Sequence, residues 1–114
     1  MKLLDIVVKE SIIPQLKATT RDTAISEMID TLVTAGAVKE DQRDDFVKAV
    51  IRRENKGSTG FGHGVAVPHV KHAEIKKMHV AVANSEDGID FKALDREPVH
   101  SIMLLLSPED EPEN

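Results

Sequence analysis

Apolar residues recur at helical spacing over one stretch in the first third of the chain. Between residues 21 and 35 they form a single stripe made of Ala24, Ile25, Met28, Ile29, Leu32 and Val33. Such a stripe predicts an amphipathic helix that buries one face. Thr19 or Thr20 can cap its start, and Gly36 follows at the position where glycine often ends a helix.

A second amphipathic helix is predicted from about Glu40 to Glu54. Its apolar positions share one face and are Phe46, Val47, Val50 and Ile51. Acidic residues lie in the first turn and basic residues at the end, which is the arrangement that the helix dipole favours. The basic end, with Arg52, Arg53 and Lys56, leads directly into a glycine-rich segment.

Short apolar runs predict strands in most of the remaining chain. We interpret Leu3–Leu16 as a short strand or an extended segment, and the runs Val65–Val67, Met78–Ala83 and Val99–Leu106 as strands. Residues 88–91 indicate a turn that can include a short strand. The last long run is almost entirely apolar, which is typical of a central strand covered on both faces. Helices followed by strands predict one α/β or α+β domain over residues 1–114, a small mixed sheet flanked by helices.

Two helices give little cover for a sheet that is apolar on both faces. We therefore expect either that the chain is truncated, with one or two C-terminal helices missing after Asn114, or that another subunit covers the sheet. The segment Ser107–Asn114 is acidic and interrupted by prolines. It contains nothing to bury and is predicted to be a tail or a linker.

Composition and charge exclude several classes of function and site. The net charge is −5, Trp and Tyr are absent and only three Phe are present, which argues against a nucleic-acid binder that stacks bases on aromatic rings. The absence of Cys excludes disulfides, thiolate zinc sites and a Cys nucleophile. The chain starts without the apolar core of a signal peptide, and no run approaches membrane-spanning length. We expect a cytoplasmic protein without direct membrane insertion.

The candidate chemistry lies in residues 57–69, which hold four of the six glycines and two of the five histidines. Backbone amides in such a loop can form a nest that binds an anion. His69 directly follows Pro68 and is a candidate nucleophile for phosphoryl transfer, although a histidine that packs against the sheet is the usual alternative. The candidate phosphate-binding residues around it are Arg53, Ser58, Thr59, Gly60, Gly62 and Gly64.

Other uses of this segment are less favoured. No Lys-Ser/Thr follows a glycine pair, and the glycines at 60, 62 and 64 do not have dinucleotide spacing, which disfavours a nucleotide site. The histidines lack the spacing of a metal motif. We therefore predict no metal and no cofactor, and interpret His72 and His79 as solvated surface residues. His100 lies on a predicted strand, where it faces either solvent or the site.

The run RE-x-x-GSTG-x-G-x-GVAVPH, from Arg53 to His69, strongly resembles the signature of enzyme IIA of the fructose, mannitol and nitrogen-regulatory class of the bacterial phosphoenolpyruvate:sugar phosphotransferase system. The resemblance continues through residues 88–91 and 98–108 and covers essentially the whole chain. It implies the fold of this EIIA type 2 class. It also implies a cytoplasmic phosphocarrier that accepts a phosphoryl group on His69 from phospho-HPr and passes it to a cysteine of enzyme IIB, with Arg53 near that group.

The same resemblance allows a second interpretation. Nitrogen-type members are regulatory modules, so phosphorylation of His69 would then control regulatory target proteins without sugar transport. The resemblance also implies a second active-site histidine soon after the acidic segment, and that residue would fall beyond Asn114. His100 is not expected to take its place.

Overall fold

The computed structural model describes residues 7–109 of the chain. The strands are β1 (Val7–Ile13), β2 (Gly60–Gly62), β3 (Val65–Ala66), β4 (His69–His72), β5 (His79–Ile89) and β6 (Val99–Pro108). The helices are α1 (Arg21–Thr34) and α2 (Arg43–Lys56), and a 3₁₀ turn, Glu40–Gln42, precedes α2. None of these helices is long and apolar enough to cross a membrane.

The strands form one mixed sheet, as predicted. Its order is β1-β5-β6-β3-β2, and β4 also pairs with β6. Strand β6 is parallel to β3 and β4 and antiparallel to β5. The prediction that the last apolar run is a central strand is therefore confirmed.

Strands β3 and β4 are two halves of one interrupted strand. Val65 pairs with Ser101 and His69 pairs with Leu105, so both halves keep the same register against β6. Pro68 lies at the interruption, where its missing N–H costs no ladder hydrogen bond. Its carbonyl still accepts from the N–H of Leu105 at 2.8 Å. The interruption places His69 at the first position of β4.

Local capping explains why α1 begins and ends where the pattern predicts. The side chain of Thr20 accepts a hydrogen bond from the backbone N–H of Thr23, whose own side chain accepts from the backbone N–H of Thr20. At the other end Gly36 has a φ of 84°. The N–H of Ala37 then reaches back to the carbonyl of Leu32 at 2.9 Å, which closes a Schellman motif.

The second helix differs from its predicted bounds at both ends. Residues 40–42 form a 3₁₀ turn, and the α-helix begins at Arg43 and continues to Lys56. Arg43 is bonded to Asp30 of α1 and to Asp44, so it joins the start of α2 to the side of α1. The helix α2 therefore begins at Arg43, where this contact with α1 is made, three residues later than the pattern predicts.

Both helices pack on the same face of the sheet. The core between them and the sheet includes Ile25, Met28, Leu32, Phe46 and Val50 from the helices and Ala81, Ala83, Ile102, Leu104 and Leu106 from the strands. Residues that alternate with these strand positions lie on the opposite face; among them Val82, Met103 and Leu105 are only partly buried. Within residues 7–109, neither helix covers that face.

The predictions for four strands need correction. The pattern missed β2 and β4, whose glycines and histidines have little strand propensity and which form through pairing with their neighbours. Strand β5, predicted to end at Ala83, continues through Gly88 to Ile89, so the first two residues of the predicted turn with a possible short strand at 88–91 belong to β5. Strand β6 extends to Pro108 and buries Ser107 to 3% exposure, so the prediction that Ser107 begins a tail was wrong. Residues 110–114 of the predicted tail and the start of the Leu3–Leu16 segment lie outside the described range.

Candidate functional site

His69 lies on the face of the sheet opposite the helices. Side chains alternate along β4, and Val70 packs against the core while the ring of His72 lies 4.3 Å from that of Phe46 on α2. His69 and Lys71 therefore point to the other face. The His69 side chain is partly buried, and its Nε2 lies 2.8 Å from Oγ of Ser107.

The surroundings of His69 favour the neutral imidazole. Burial lowers the pKa of His69 from its ordinary value of 6.5, and the positive charges of Lys71 and Arg53 lower it further. Burial opposes the charged ring because it removes water that would solvate the charge, and nearby cations repel the added proton. A neutral ring has a free nitrogen lone pair, which is what a nucleophile requires.

Arg53 and Glu54, adjacent residues in the last turn of α2, hold the glycine loop. Nη1 of Arg53 donates to the carbonyl of Gly57 at 2.8 Å. The carboxylate of Glu54 is 3% exposed and accepts from the backbone N–H of Thr59 at 3.2 Å and from the Thr59 hydroxyl. Sequence reasoning missed Glu54, although an acidic residue near a helix C-terminus, where the dipole disfavours it, is an available signal.

The hydroxyls of the loop are used inside the protein. Oγ of Ser58 donates to the carbonyl of Phe91 and accepts from the N–H of Gly60 at 2.9 Å, while the Thr59 hydroxyl is bonded to Glu54. Among the predicted phosphate ligands, these two hydroxyls and the amides of Thr59 and Gly60 therefore have protein partners that fix the shape of the loop. Arg53 retains guanidinium N–H groups beyond the one bonded to Gly57.

The glycine spacing has a backbone explanation. His63 and Gly64 have φ of 59° and 73° and form the two central positions of the β2–β3 hairpin, as a type I′ turn requires. Asp95 accepts from the N–H of His63 at 3.1 Å and secures this turn. At Gly60 an added Cβ would lie 3.0 Å from Cβ of Ala93, so the close approach of that segment favours glycine.

The remaining histidines do not converge on His69. His72 and His79 are partly buried, so their interpretation as solvated residues was wrong. Nδ1 of His72 accepts from the N–H of Glu74 at 3.0 Å. His100 is exposed on β6, and its Nδ1 lies 2.9 Å from the carbonyl of Ser85. Across residues 7–109, no group of three or more His, Asp or Glu side chains could hold a metal ion.

Comparison with known proteins gives the geometry a family context. Residues 5–113 match the family model described as "Phosphoenolpyruvate-dependent sugar phosphotransferase system, EIIA 2". The chain belongs to this family. The resemblance stated from the Arg53–His69 signature is thereby confirmed. The EIIA 2 domain accounts for nearly all of the chain.

Two relatives illustrate the range of proteins that share this domain. The chain is 32% identical over 109 residues to the fructose-specific EIIABC component of Bacillus subtilis, covering 96% of the chain and 17% of that protein. It is 34% identical over 109 residues to a nitrogen regulatory protein of Bradyrhizobium diazoefficiens, covering 96% of the chain and 69% of that protein. The chain thus spans a small part of the first relative and about two thirds of the second.

Solved structures confirm the fold. The nitrogen regulatory protein IIA-Ntr of Neisseria meningitidis superimposes with a TM-score of 0.85 at 29% identity, covering 96% of the chain and 73% of that protein. The mannitol enzyme IIA in a complex with phosphorylated enzyme IIB from Escherichia coli has a TM-score of 0.73 at 24% identity, covering 91% and 72%. The predicted mixed sheet with helices is the shared architecture.

Proposed function

We propose that the protein is a phosphocarrier in which His69 accepts a phosphoryl group from the phosphohistidine of HPr and passes it to a cysteine of enzyme IIB. The observation that carries the proposal is the environment of His69. The ring is partly buried at the start of β4, and burial, followed by the charges of Lys71 and Arg53, lowers its pKa and so favours the neutral form. A neutral imidazole next to a cation suits transfer of an anionic group.

In the proposed transfer, a nitrogen lone pair of His69 attacks phosphorus in line. The bond between phosphorus and the donor nitrogen breaks as the new bond forms, and the donor nitrogen keeps that electron pair. Free N–H groups of Arg53 stabilise the charge on the phosphoryl oxygens. The hydrogen bonds between Glu54 and Thr59 fix the backbone of the glycine loop before HPr binds, so the loop is rigid when the phosphoryl group arrives. No metal or other cofactor takes part in this scheme.

Two uses of the phosphorylated domain are supported by different relatives. Similarity to a fructose-specific EIIABC component favours sugar transport, with the protein in the cytoplasm. Similarity to nitrogen regulatory proteins supports a regulatory module whose partners respond to the phosphorylation state of His69. The mannitol enzyme IIA of Escherichia coli forms its complex with a phosphorylated enzyme IIB, which supports that partner class for this chain.

The proposal is tested by labelling. The protein is incubated with enzyme I, HPr and phosphoenolpyruvate carrying labelled phosphate, and His69→Ala is compared with His79→Gln, whose side chain lies on the helix side of the sheet. We expect acid-labile label on the wild type and on His79→Gln and none on His69→Ala. Label that persists in His69→Ala would contradict the proposal.

A chase separates the two uses. Unlabelled enzyme IIB of the fructose type is added to the labelled protein, and label on its cysteine is followed with time. Transfer supports sugar transport. A stably labelled protein that transfers to no such enzyme IIB favours the regulatory module.

A further inference from the structure

Ser107 places a buried hydroxyl against the ring of His69. It lies on β6 two residues after Leu105, the pairing partner of His69, and therefore on the same face of the sheet. Ser107 is only 3% exposed, and its Oγ lies 2.8 Å from Nε2 of His69. The resemblance to the enzyme IIA class assigned no role to this residue.

The direction of this hydrogen bond determines which ring nitrogen carries the proton. A neutral imidazole has one N–H and one lone pair, whereas a hydroxyl can donate or accept. If Nε2–H donated to Ser107, the buried hydroxyl hydrogen would need another acceptor. Within residues 7–109 the structure gives Ser107 Oγ no hydrogen bond except the one to His69. Leaving a buried donor unbonded is unfavourable, so the hydroxyl is the donor.

We propose that Ser107 is a positioning residue that donates to Nε2 of neutral His69 and so keeps the ring proton on Nδ1. Burial of the ring, and after it the charges of Lys71 and Arg53, lower the pKa of His69 and favour this neutral state. His69 as a whole is partly exposed, and in this proposal water accepts the hydrogen bond from Nδ1–H. The bond also fixes the orientation of the ring and leaves Nε2 as the nitrogen with a lone pair.

The consequence for catalysis rests on the proposed function. As the ring leaves Ser107 to attack, the Nε2 lone pair forms the bond to phosphorus and the donor nitrogen keeps the pair from the bond that breaks. Ser107 retains its proton throughout. Its hydroxyl then lies beside the new phosphohistidine, where it can donate to a phosphoryl oxygen. Removing the hydroxyl should slow phosphoryl acceptance about three- to tenfold, the equivalent of one ordinary hydrogen bond.

The tautomer is measured directly by nitrogen NMR on protein labelled with ¹⁵N-histidine, at a pH where His69 is neutral. We expect the wild type to carry its proton on Nδ1. Ser107→Ala should shift the population toward the Nε2–H form, and Ser107→Thr, which keeps the hydroxyl, should restore the wild-type pattern. Ser101→Ala is the matched control, because Ser101 lies on the same strand and face but donates to Asn84 at 3.1 Å.

The outcomes are distinct. An Nε2-bound proton in the neutral wild type overturns the proposal without any variant, and so does a tautomer population that Ser107→Ala leaves unchanged. If Ser107→Thr does not fold, Ser107→Cys retains a weaker donor of similar size and is expected to give an intermediate population. The tautomer does not depend on phosphorylation. A protein with the expected tautomer that accepts no phosphoryl group would contradict the proposed function and leave the role of Ser107 in place.

Discussion

Two hydrogen bonds between Thr59 and Glu54 tie the glycine loop to the end of α2. Glu54 is 3% exposed, and both of its carboxylate oxygens accept hydrogen bonds from Thr59. Thr59→Val keeps the shape of the side chain and the backbone N–H but removes the hydroxyl donor. One oxygen of a buried carboxylate then loses its partner.

The expected cost follows from the charge and burial of the acceptor. A hydrogen bond to a charged group contributes about 1.5–3 kcal/mol, roughly twice the value for a neutral pair. The Thr59 N–H still holds the other oxygen, so we expect a loss of about 2 kcal/mol in the free energy of unfolding. For a domain of this size the melting temperature should fall by about 8 °C, at about 4 °C for each kcal/mol.

Urea unfolding followed by far-ultraviolet circular dichroism measures this loss, because the chain has no Trp or Tyr for fluorescence. Thr34→Val, at an exposed position in the last turn of α1, is the control and should change stability by less than about 0.5 kcal/mol. The urea slope should be unchanged in both variants. A Thr59→Val protein as stable as the control would refute the view that this bond holds the loop.

Three further predictions concern other parts of the molecule. Gly88→Ala places a Cβ 2.6 Å from Cβ of Pro98 at a φ of 83°, so urea unfolding should show that the free energy of unfolding falls by at least about 2 kcal/mol. At Gly57 an added Cβ meets no atom within 4 Å, so Gly57→Ala should lower the free energy of unfolding by less. Equal losses in the two variants would contradict the predicted clash with Pro98. The pKa of His69 is lowered in the folded protein, so its NMR titration midpoint should lie below 6.5. The free energy of unfolding should fall as the pH drops from 6.5 through that midpoint, because the unfolded chain binds the proton more tightly than the folded protein does. A midpoint above 6.5 would contradict the effect of burial. Arg53→Lys should slow labelling of His69 about tenfold or more, because an ammonium cannot reproduce the planar set of donors. Loss of the exposed bond to Gly57 should lower the free energy of unfolding by no more than about 1.5 kcal/mol. Labelling at the wild-type rate would exclude a role in transfer.

The sequence predicts those parts of the fold that depend on neighbouring residues. The apolar stripe of α1 and its end at Gly36 follow from local physics, and the structure confirms them. Of the two predicted caps, Thr19 and Thr20, the structure selects Thr20. The strands β2 and β4 could not be predicted, because their residues have weak strand propensity and pair with segments distant in sequence.

In the candidate site too, features set by neighbouring residues can be predicted from the sequence, whereas contacts between distant segments cannot. The position of His69 after Pro68 and the glycines of the hairpin are visible in the sequence. The contact between His69 and Ser107 joins residues 38 positions apart and exists only because β4 and β6 pair in one particular register. Likewise, the hydroxyls of Ser58 and Thr59 were predicted to face a phosphate, and their partners in the protein could not be known before the loop was placed against Phe91 and Glu54.

In the proposed function, His69 is the residue that carries the phosphoryl group. The most direct measurement is mass spectrometry of the wild-type protein after incubation with enzyme I, HPr and phosphoenolpyruvate, with peptides prepared at alkaline pH to preserve phosphohistidine. We expect the addition of a single phosphoryl group, located on His69. A phosphoryl group located on another residue, such as His72 or His100, would contradict it.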